Sequence, residues 1–457
     1  MESEIEHLPS YSFTKEHLQR QLEIVKSAAQ LAKDKIDYAS AHNESLLLAI
    51  SIVESFLRKK HRICYGGQAI NAYLPKEHKF YDPEYSIPDY DFFTPNQLQD
   101  LRILMESLYQ AGFTEVHPRE GMHEGTIKLY VNYIPVADLT AIDPHIYRIL
   151  SRRATAFEGI SYMDANSLRM LMHLELSRPK GEVVRWEKVF ERLVLFNEFV
   201  PISHGKAKKA FRDSLQVDQV QFILRYLIQN ERVFAGGDLV PFYHDAVESR
   251  TMQSTLSYFL TSRKPILFFS PEPKLDAARL QTELQLGSKR AIQTNVFFNE
   301  GLDVIPSIHV LHQGAKPLVI IIEQSACHSY LNLRIQENMI LGQGLSHQIL
   351  RIASMDTLIT LFFSLGFVQN RFFDRGAMDA LANQLVEISI HARRDADHIV
   401  FPFLSIRCAG HQTTIPSLIK AKFLRMTKRK KSELRNMIRM LEVKHGTSKR
   451  NRTLKKN

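Results

Sequence analysis

Three aspartates and a glycine pair are the residues of this chain best placed to do chemistry. Asp89 and Asp91 stand in Ile87-Pro88-Asp89-Tyr90-Asp91-Phe92-Phe93, separated by one residue on an apolar, extended run. A strand period of two puts both carboxylates on one face. Asp138 stands in a second run of strand character, Pro135-Val136-Ala137-Asp138-Leu139-Thr140. Carboxylates among apolar neighbours are costly unless paired or bound to metal. Oxygen ligands of this kind favour Mg²⁺ or Mn²⁺ over zinc. Upstream, Ile63-Cys64-Tyr65 reads as a short strand, and Gln68 to Leu74 as the helix after it. Gly66 and Gly67 at that turn let the backbone pass close to a phosphate, with Gln68 and the free N–H groups of the helix start beside it. Alone, a Gly-Gly pair is a turn and an Asp-x-Asp a solvated loop. Their order and spacing match what nucleotidyl transfer on two metal ions requires.

Arg185, Lys188 and Arg192 form a second candidate set, one basic stripe on a helix. The stripe could contact a nucleoside triphosphate or a polynucleotide backbone. It could equally be an exposed face paired with Glu182, Glu187 and Glu191. Trp186, the single tryptophan, reads as a packing anchor, and nothing assigns Tyr147 or Tyr162 to base stacking.

The elements that must position these groups follow from periodicity. Residues 15–36 and 44–60 read as helices that brace the catalytic sheet, the second with Leu47, Ile50, Val53, Phe56 and Leu57 inward. After a loop from Pro75 to Pro88 comes the Asp89–Phe93 strand. Thr94 and Pro95 then read as cap and first residue of a helix running to Ala111 and stopped by Gly112. Thr114–Val116 and Thr126–Tyr133 read as strands ahead of the Asp138 strand, and residues 146–199 as helical. Lys206–Arg212 reads as a linker. Beyond it, Val233-Phe234-Ala235-Gly236-Gly237-Asp238-Leu239 repeats the strand, Gly-Gly and helix shape without an Asp-x-Asp, the alternative being an unrelated α/β domain with a chance Gly-Gly, and Asp238 reads as a helix cap. Apolar runs at Ile266–Phe269, Val296–Phe298, Ile308–Leu311 and Leu318–Ile322 predict a further sheet, with helices at Asp356–Leu365 and Gly376–His391. The expected fold class is α+β. The expected divisions are a helical segment 1–60, a catalytic domain 61–145, a helical segment 146–230 completing the cleft, a degenerate module 231–350 and C-terminal helices 351–457.

At 457 residues and 44% hydrophobic content, the chain can bury a large core. Cys64, Cys327 and Cys408 are too few and too scattered to suggest a disulfide framework or a zinc site, and point to a reducing compartment. Met1 to Ser10 holds three Glu and no apolar core, so no secretory signal is expected; no apolar run is long enough to span a bilayer, and the protein should be soluble. Lys420 to Asn457 holds fifteen Lys or Arg against two Glu, so the rest of the chain carries about −3 of the net +10. Leu434, Met437, Ile438 and Leu441 form an apolar stripe within this tail, whose simplest partner is a polyanion. An address signal such as Lys428-Arg429-Lys430-Lys431, or a solubilising role, fits the same composition.

The Gly66-Gly67, Asp89-x-Asp91 and Asp138 set resembles the polymerase-β-like nucleotidyltransferases. Leu174-Glu175-Leu176-Ser177-Arg178-Pro179-Lys180-Gly181, followed by Val184-Arg185-Trp186-Glu187-Lys188-Val189, resembles a narrower family. That family is the poly(A) polymerase catalytic subunit of large cytoplasmic DNA viruses, of the asfarvirus and mimivirus type. Two departures stand out. Gly66-Gly67-Gln68 replaces the usual Gly-Ser, so no hydroxyl is offered there, and Pro75 to Pro88 reads as an inserted loop. The resemblance implies template-independent transfer of AMP from ATP to the 3′ end of mRNA. It implies two Mg²⁺ (or Mn²⁺) ions on Asp89, Asp91 and Asp138, and nucleotide contacts from Gly66, Gly67, Gln68, Arg185 and Lys188. It also implies a host-cell cytoplasmic location with packaging in the virion, no membrane contact, and a homodimer or a viral processivity protein as partner. A uridylyl transferase, a CCA-adding enzyme or an oligoadenylate synthase would show the same motif, and a non-catalytic RNA-binding scaffold is the alternative from another class.

Overall fold

The computed structural model describes residues 14–82, 84–86, 89–202, 211–249, 262–299, 301–335, 348–368, 370–394, 404–428 and 432. Two mixed sheets organise them, and both follow one plan. The first has the order β3-β4-β5-β2-β1-β7-β6. Its strands are Ile63–Cys64 (β1), Tyr90–Thr94 (β2), Val116–Glu120 (β3), Thr126–Val131 (β4), Ile134–Ala141 (β5), Thr155–Phe157 (β6) and Ile160–Tyr162 (β7). The second has the order β10-β11-β12-β9-β8-β14-β13-β15. Here the strands are Val233–Phe234 (β8), Ile266–Ser270 (β9), Gln293–Phe298 (β10), Ser307–Gln313 (β11), Lys316–Glu323 (β12), His328–Ile335 (β13), Gln348–Ala353 (β14) and Cys408–Ala409 (β15).

Pairing senses coincide strand for strand. β1 is antiparallel to β2 and parallel to β7, as β8 is to β9 and β14. β2 is parallel to β5 as β9 is to β12, and the flanking hairpins agree. Helices fall in matching places. Glu44–Lys60 (α2), Gly66–Tyr73 (α3), Gln97–Gln110 (α4) and Ala165–Leu176 (α6) correspond to Val217–Gln229, Leu239–Glu248, Pro273–Leu286 and Met355–Leu365. The expected second module is therefore present as a topological repeat. Its α6 counterpart packs against α6 itself, with the buried His173 Nδ1 and Asp356 Oδ1 2.7 Å apart.

Register shows what the repeat has kept and lost. Phe92 opposes Cys64 as Phe268 opposes Phe234, so Asp89 and Asp91 correspond to Pro265 and Leu267. Asp138 lies beside Asp91, and Ile320 lies beside Leu267. All three carboxylates are thus replaced by apolar residues. A structural ion pair is retained in both halves. Arg62 donates two hydrogen bonds to Asp100 at 2.6 and 3.0 Å, and Arg232 donates two to Asp276 at 2.7 and 3.0 Å. The hydroxyls of Thr94 and Ser270 complete the two sites.

Several expectations need correction. Lys15–Ala41 (α1) is a helix, but it braces nothing along most of its length: Leu18, Leu22, Val25 and Ile36 are exposed, and only Ala41 is buried. In α2 the inward face is Leu46, Ala49, Ile50, Val53, Phe56 and Leu57, with Leu47 exposed. Thr94 ends β2 and does not cap α4, whose N-cap is Asn96. Residues 146–199 are not all helical. Between Pro144–Arg153 (α5) and α6 lies the hairpin β6-β7, turned by Glu158 and Gly159 at φ 51° and 80°. Asp238 holds the N-cap position without bonding the helix amides, and pairs instead with Lys264 at 3.2 Å. Cys327 and Cys408 form a disulfide that fastens β15 beside β13, leaving Cys64 free and buried. Residues 206–210 of the expected linker, and the apolar stripe of the tail, lie outside the described residues.

The Arg232–Asp276 pair generates a prediction. Burial alone would raise the Asp276 carboxyl, but hydrogen bonds from Arg232, Ser270 and Tyr226 hold it below its ordinary value. Asp276→Ala leaves the largely buried Arg232 guanidinium with only the exposed Glu272, 3.6 Å away, and should cost about 3 kcal/mol at neutral pH. A depressed carboxyl contributes stability above its unfolded value of about 3.9, and loses it as pH falls through the lower folded value. The unfolding midpoints of wild type and variant should therefore converge toward acid pH. A gap that stays constant with pH would remove the ion pair as its cause.

Candidate active site

The strand pairing of β2 with β5 builds the site. Asp91 and Asp138 are register partners on these parallel strands, and Asp89 lies two residues ahead of Asp91 on the same face. Asp138 is buried, Asp91 half-buried and Asp89 exposed at the start of β2. On the other side of Asp138, Lys128 of β4 is in register, and its ammonium contacts Asp138 Oδ2. Asp138 Oδ1 is buried without a hydrogen-bond partner.

The electrostatics record the crowding. The surrounding protein, followed by the Asp138 charge, pushes the Asp89 carboxyl up to about 6. Asp91 is pushed up to about 7 by burial, then by Asp89 and Asp138, against the opposing charges of Lys128 and Arg185. Burial also raises Asp138, although Lys128 works the other way. Burial would lower the Lys128 ammonium; its hydrogen bond to Asp138 and the three carboxylates together raise it instead. This is a site short of positive charge.

The glycine turn closes on these carboxylates. Tyr65 donates its N–H to Asp91 O at 2.9 Å, and its ring stacks on Phe93 at 4.0 Å. Gly66 follows at φ 73°, and a Cβ there would lie 2.5 Å from Asp91 Oδ2. Both the left-handed backbone and the carboxylate demand glycine. α3 starts at this point with no side-chain cap, so its first amides are not satisfied by a capping side chain. A Cβ on Gly67 would meet Tyr81 Oη at 2.6 Å and Arg192 Nη1 at 2.9 Å. Gln68 lies on α3 and lines a 730 Å³ cavity with Asn71, Glu54 and Tyr162, its Oε1 buried and unpartnered.

Two members of the basic stripe, Arg192 and Arg185, reach the site. Arg192 on Trp186–Phe199 (α7) donates to Tyr81 Oη at 2.8 Å and lies over the Phe80 ring at 4.5 Å. Arg185, just before α7, is half-exposed, pairs with Glu175 at 3.2 Å and Glu182 at 3.5 Å, and bears electrostatically on Asp91. Lys188 is exposed, and Arg192, burial, Arg185 and Lys33 lower its ammonium. Lys128, Tyr81 and Phe80 were absent from the sequence reading. Lys128 is one of many lysines in sequence, and only register across β4 and β5 brings it to Asp138. Trp186 donates its indole N–H to Glu175 O at 3.0 Å, as suits an anchor, while Tyr162 is buried and Tyr147 bonds His61 O at 3.1 Å.

Among the described residues, no three His, Cys, Asp or Glu side chains close tightly enough to cage a metal ion. The donor set nonetheless suits Mg²⁺, which binds through one or two carboxylates and takes its other ligands from water and phosphate. The orphaned Asp138 Oδ1 and the raised carboxyls each favour an added cation.

Residues 51–182 match the model of a family described as the poly(A) polymerase catalytic subunit. Viral proteins assigned to that activity are similar over the same part of the chain. The one from African swine fever virus (strain Badajoz 1971 Vero-adapted) is 29% identical over 160 residues, covering 34% of this chain and 33% of its own length. That of Acanthamoeba polyphaga mimivirus is 27% identical over 197 residues, 42% of this chain and 32% of its own. The similarity thus spans about a third of these relatives' length. The crystal structure of the Megavirus polyadenylate synthase superposes with a TM-score of 0.70 at 19% identity, covering 94% of this chain and 86% of that one. It shows that the fold is shared across both sheets. The resemblance read from the motifs is borne out.

The contact of Gly66 with Asp91 can be tested by stability alone. Gly66→Ala should cost about 2 kcal/mol or more, from the left-handed backbone together with the collision. Asp91→Ala removes a crowded charge, so its stability should hold or rise. The double variant should recover part of the loss, giving a coupling of about 1 kcal/mol in a double-mutant cycle of urea unfolding. Strict additivity would place the two groups out of contact.

Proposed function

We propose that this chain is a template-independent polynucleotide adenylyltransferase that adds AMP from ATP to the 3′ end of mRNA. The observation that carries the reading is the site itself: Asp91 and Asp138 side by side, Asp89 above them, and a glycine turn pressed against Asp91. It lies within the segment that matches the catalytic-subunit family. The viral relatives' names supply the adenylate and the polymer. On this reading residues 61–145 and 146–230 do the chemistry, and 231–350 supports it without a metal site.

Asp89, Asp91 and Asp138 would hold two Mg²⁺ (or Mn²⁺) ions, which activate a 3′-hydroxyl and neutralise the triphosphate when bound. The chain's own groups orient the reactants. Amides at the start of α3 face the triphosphate, with Gly66 and Gly67 keeping the approach free of side chains. Arg185, Lys188 and Arg192 line its path, so the electrostatic reading of the stripe is preferred to a merely solvated face. Lys128 shares Asp138 and offsets the charge of the three carboxylates until cations arrive.

RNA affinity is assigned to the C-terminal segment. Residues 415–428 form a helix carrying Lys420, Lys422, Arg425 and Lys428, and Arg425 docks it on the catalytic half by pairing with Glu120 at 3.1 Å. A polymerase whose product carries no pairing information must grip phosphates. Among the described residues no helix is long and apolar enough to cross a membrane. As a viral enzyme the protein would work in the cytoplasm of an infected cell and enter the virion.

The deciding experiment is incubation with a short RNA, Mg²⁺ and each NTP in turn. ATP should be extended in preference, and Asp89→Ala, Asp91→Ala and Asp138→Ala should each abolish extension in folded protein. Preference for UTP or CTP would favour the uridylyl or CCA-adding alternative. Extension of ATP alone without RNA would favour an oligoadenylate synthase, and RNA binding without extension a scaffold.

Truncation after His445 removes Lys449, Arg450, Arg452, Lys455 and Lys456. It should weaken RNA binding, flatten its salt dependence by up to about one unit of slope per lost phosphate contact, and shorten tails while sparing the first addition at saturating RNA. Unchanged affinity and salt slope would make the tail an address or a solubiliser.

A further inference from the structure

The segment that runs from β15 through the helix at 415–428 is a strap attached at its two ends. At its root, β15 is a two-residue edge strand in which Cys408 and Ala409 pair with Ser329 and His328. The Arg407 carbonyl accepts from Tyr330 N–H at 3.0 Å, and the Cys327–Cys408 disulfide adds a covalent link. At the far end, Arg425 donates to Glu120 at 3.1 Å and to Met122 O at 3.3 Å on the β3-β4 hairpin. Between these ends the strap contributes little to any core. No residue from His411 to Lys428 is buried, and Ile419, Phe423 and Leu424 are more than half exposed. A segment with so little apolar burial is held by its attachments and opens locally when one is cut.

Where the strap lies matters to the site. Gln412, Ile415 and Leu418 line a cavity of 210 Å³ together with Arg178, Glu182 and Arg185, and the Arg185 charge bears on Asp91. The covalent link is open to chemistry from one side. Cys327 is buried and Cys408 half-buried, so a thiolate reaches the bond at Cys408. In a reducing compartment a protein disulfide is usually transient or redox-sensing, not a permanent staple.

We propose that the Cys327–Cys408 disulfide is a reversible modification site, opened by a dithiol, that sets whether the strap is clamped beside the active site. The strap's part in gripping RNA rests on the adenylyltransferase reading, whereas the clamp itself does not. The attacking thiolate bonds to the Cys408 sulfur, the S–S bond breaks, and Cys327 leaves as a thiolate and is protonated. The second thiol of the reagent then displaces Cys408 in the same way. Two electrons and two protons pass to the protein, and the dithiol becomes a disulfide. Only the short backbone pairing of β15 and the Arg425 contacts then hold the strap.

The test compares the full chain, oxidised and after native treatment with dithiothreitol. Alkylation with iodoacetamide and mass spectrometry should find Cys327 and Cys408 labelled only in the reduced protein, with the buried Cys64 protected in both. Amide exchange over residues 408–428 should quicken about tenfold or more on reduction, while β1, β2 and β5 keep their rates. Cys408→Ser, which cannot form the bond, should match the reduced protein without reagent. RNA binding at fixed salt should weaken about threefold in both, with the first addition at saturating RNA unchanged. Cysteines that resist native reduction, or exchange over 408–428 that ignores the redox state, would overturn the proposal. RNA affinity equal in the two states would overturn the strap's part in gripping RNA. If wild type neither binds nor extends RNA, the adenylyltransferase reading fails, and the labelling and exchange arms still decide the clamp.

Discussion

Three carboxylates on one patch of two adjacent strands are the constraint around which this structure is arranged. Asp91 and Asp138 are held side by side by backbone pairing, so they cannot move apart to relieve their repulsion. The chain answers with one permanent cation, Lys128, and a carboxyl pushed up to about 7 at Asp91. One ammonium cannot balance three carboxylates, and Asp138 Oδ1 stays bare. What an ordinary protein would remove by substitution is here retained, which is the usual mark of a site that expects cations from solution.

The second sheet shows how much of the fold this constraint dictates. It repeats the strand order, the pairing senses and the Arg–Asp clamp, yet has Pro265, Leu267 and Ile320 at the carboxylate positions. The glycine turn changes with them. A Cβ on Gly66 would strike Asp91, whereas one on Gly236 would strike the Phe234 ring at 2.6 Å. The clamp therefore belongs to the scaffold common to both sheets, and the carboxylates are particular to the first. Once freed of charge, the second turn packs as a hydrophobic core, with Gly237 against Leu381 and Phe211.

The sequence made legible whatever is local or strongly periodic. The strand, Gly-Gly and helix order, the Asp-x-Asp strand, and the runs at Ile266–Phe269, Ile308–Leu311 and Leu318–Ile322 all appear in the structure. Three-residue strands such as β6 and β7 hold too little pattern to register, and a Glu-Gly turn with two positive φ angles leaves no mark that separates it from the helices on either side. β13 and β14 carry no comparable signal, because β14 is placed by its pairing with β8, distant in sequence. The apolar stripe of α1 was legible, but periodicity reports a face and not what covers it. Cys327 and Cys408 are 81 residues apart, and only the pairing of β13 with β15 makes them neighbours.

The segment between α3 and β2 accounts for the glycine that replaces serine at the turn. The superfamily resemblance leads one to expect a serine at the second glycine, and this chain has Gly67. The space its side chain would need is already taken by Tyr81 Oη and Arg192 Nη1, at 2.6 and 2.9 Å from a Cβ position. Tyr81 and Phe80 come from the loop after α3, and together they fix the guanidinium, one by hydrogen bond and one by ring face. A hydroxyl on the turn would offer a single donor. A guanidinium brought from α7 offers charge and several donors in a fixed plane, a better match for phosphate oxygens. The loop and the missing serine are thus two sides of one arrangement: residues between α3 and β2 hold the group for which Gly67 leaves room.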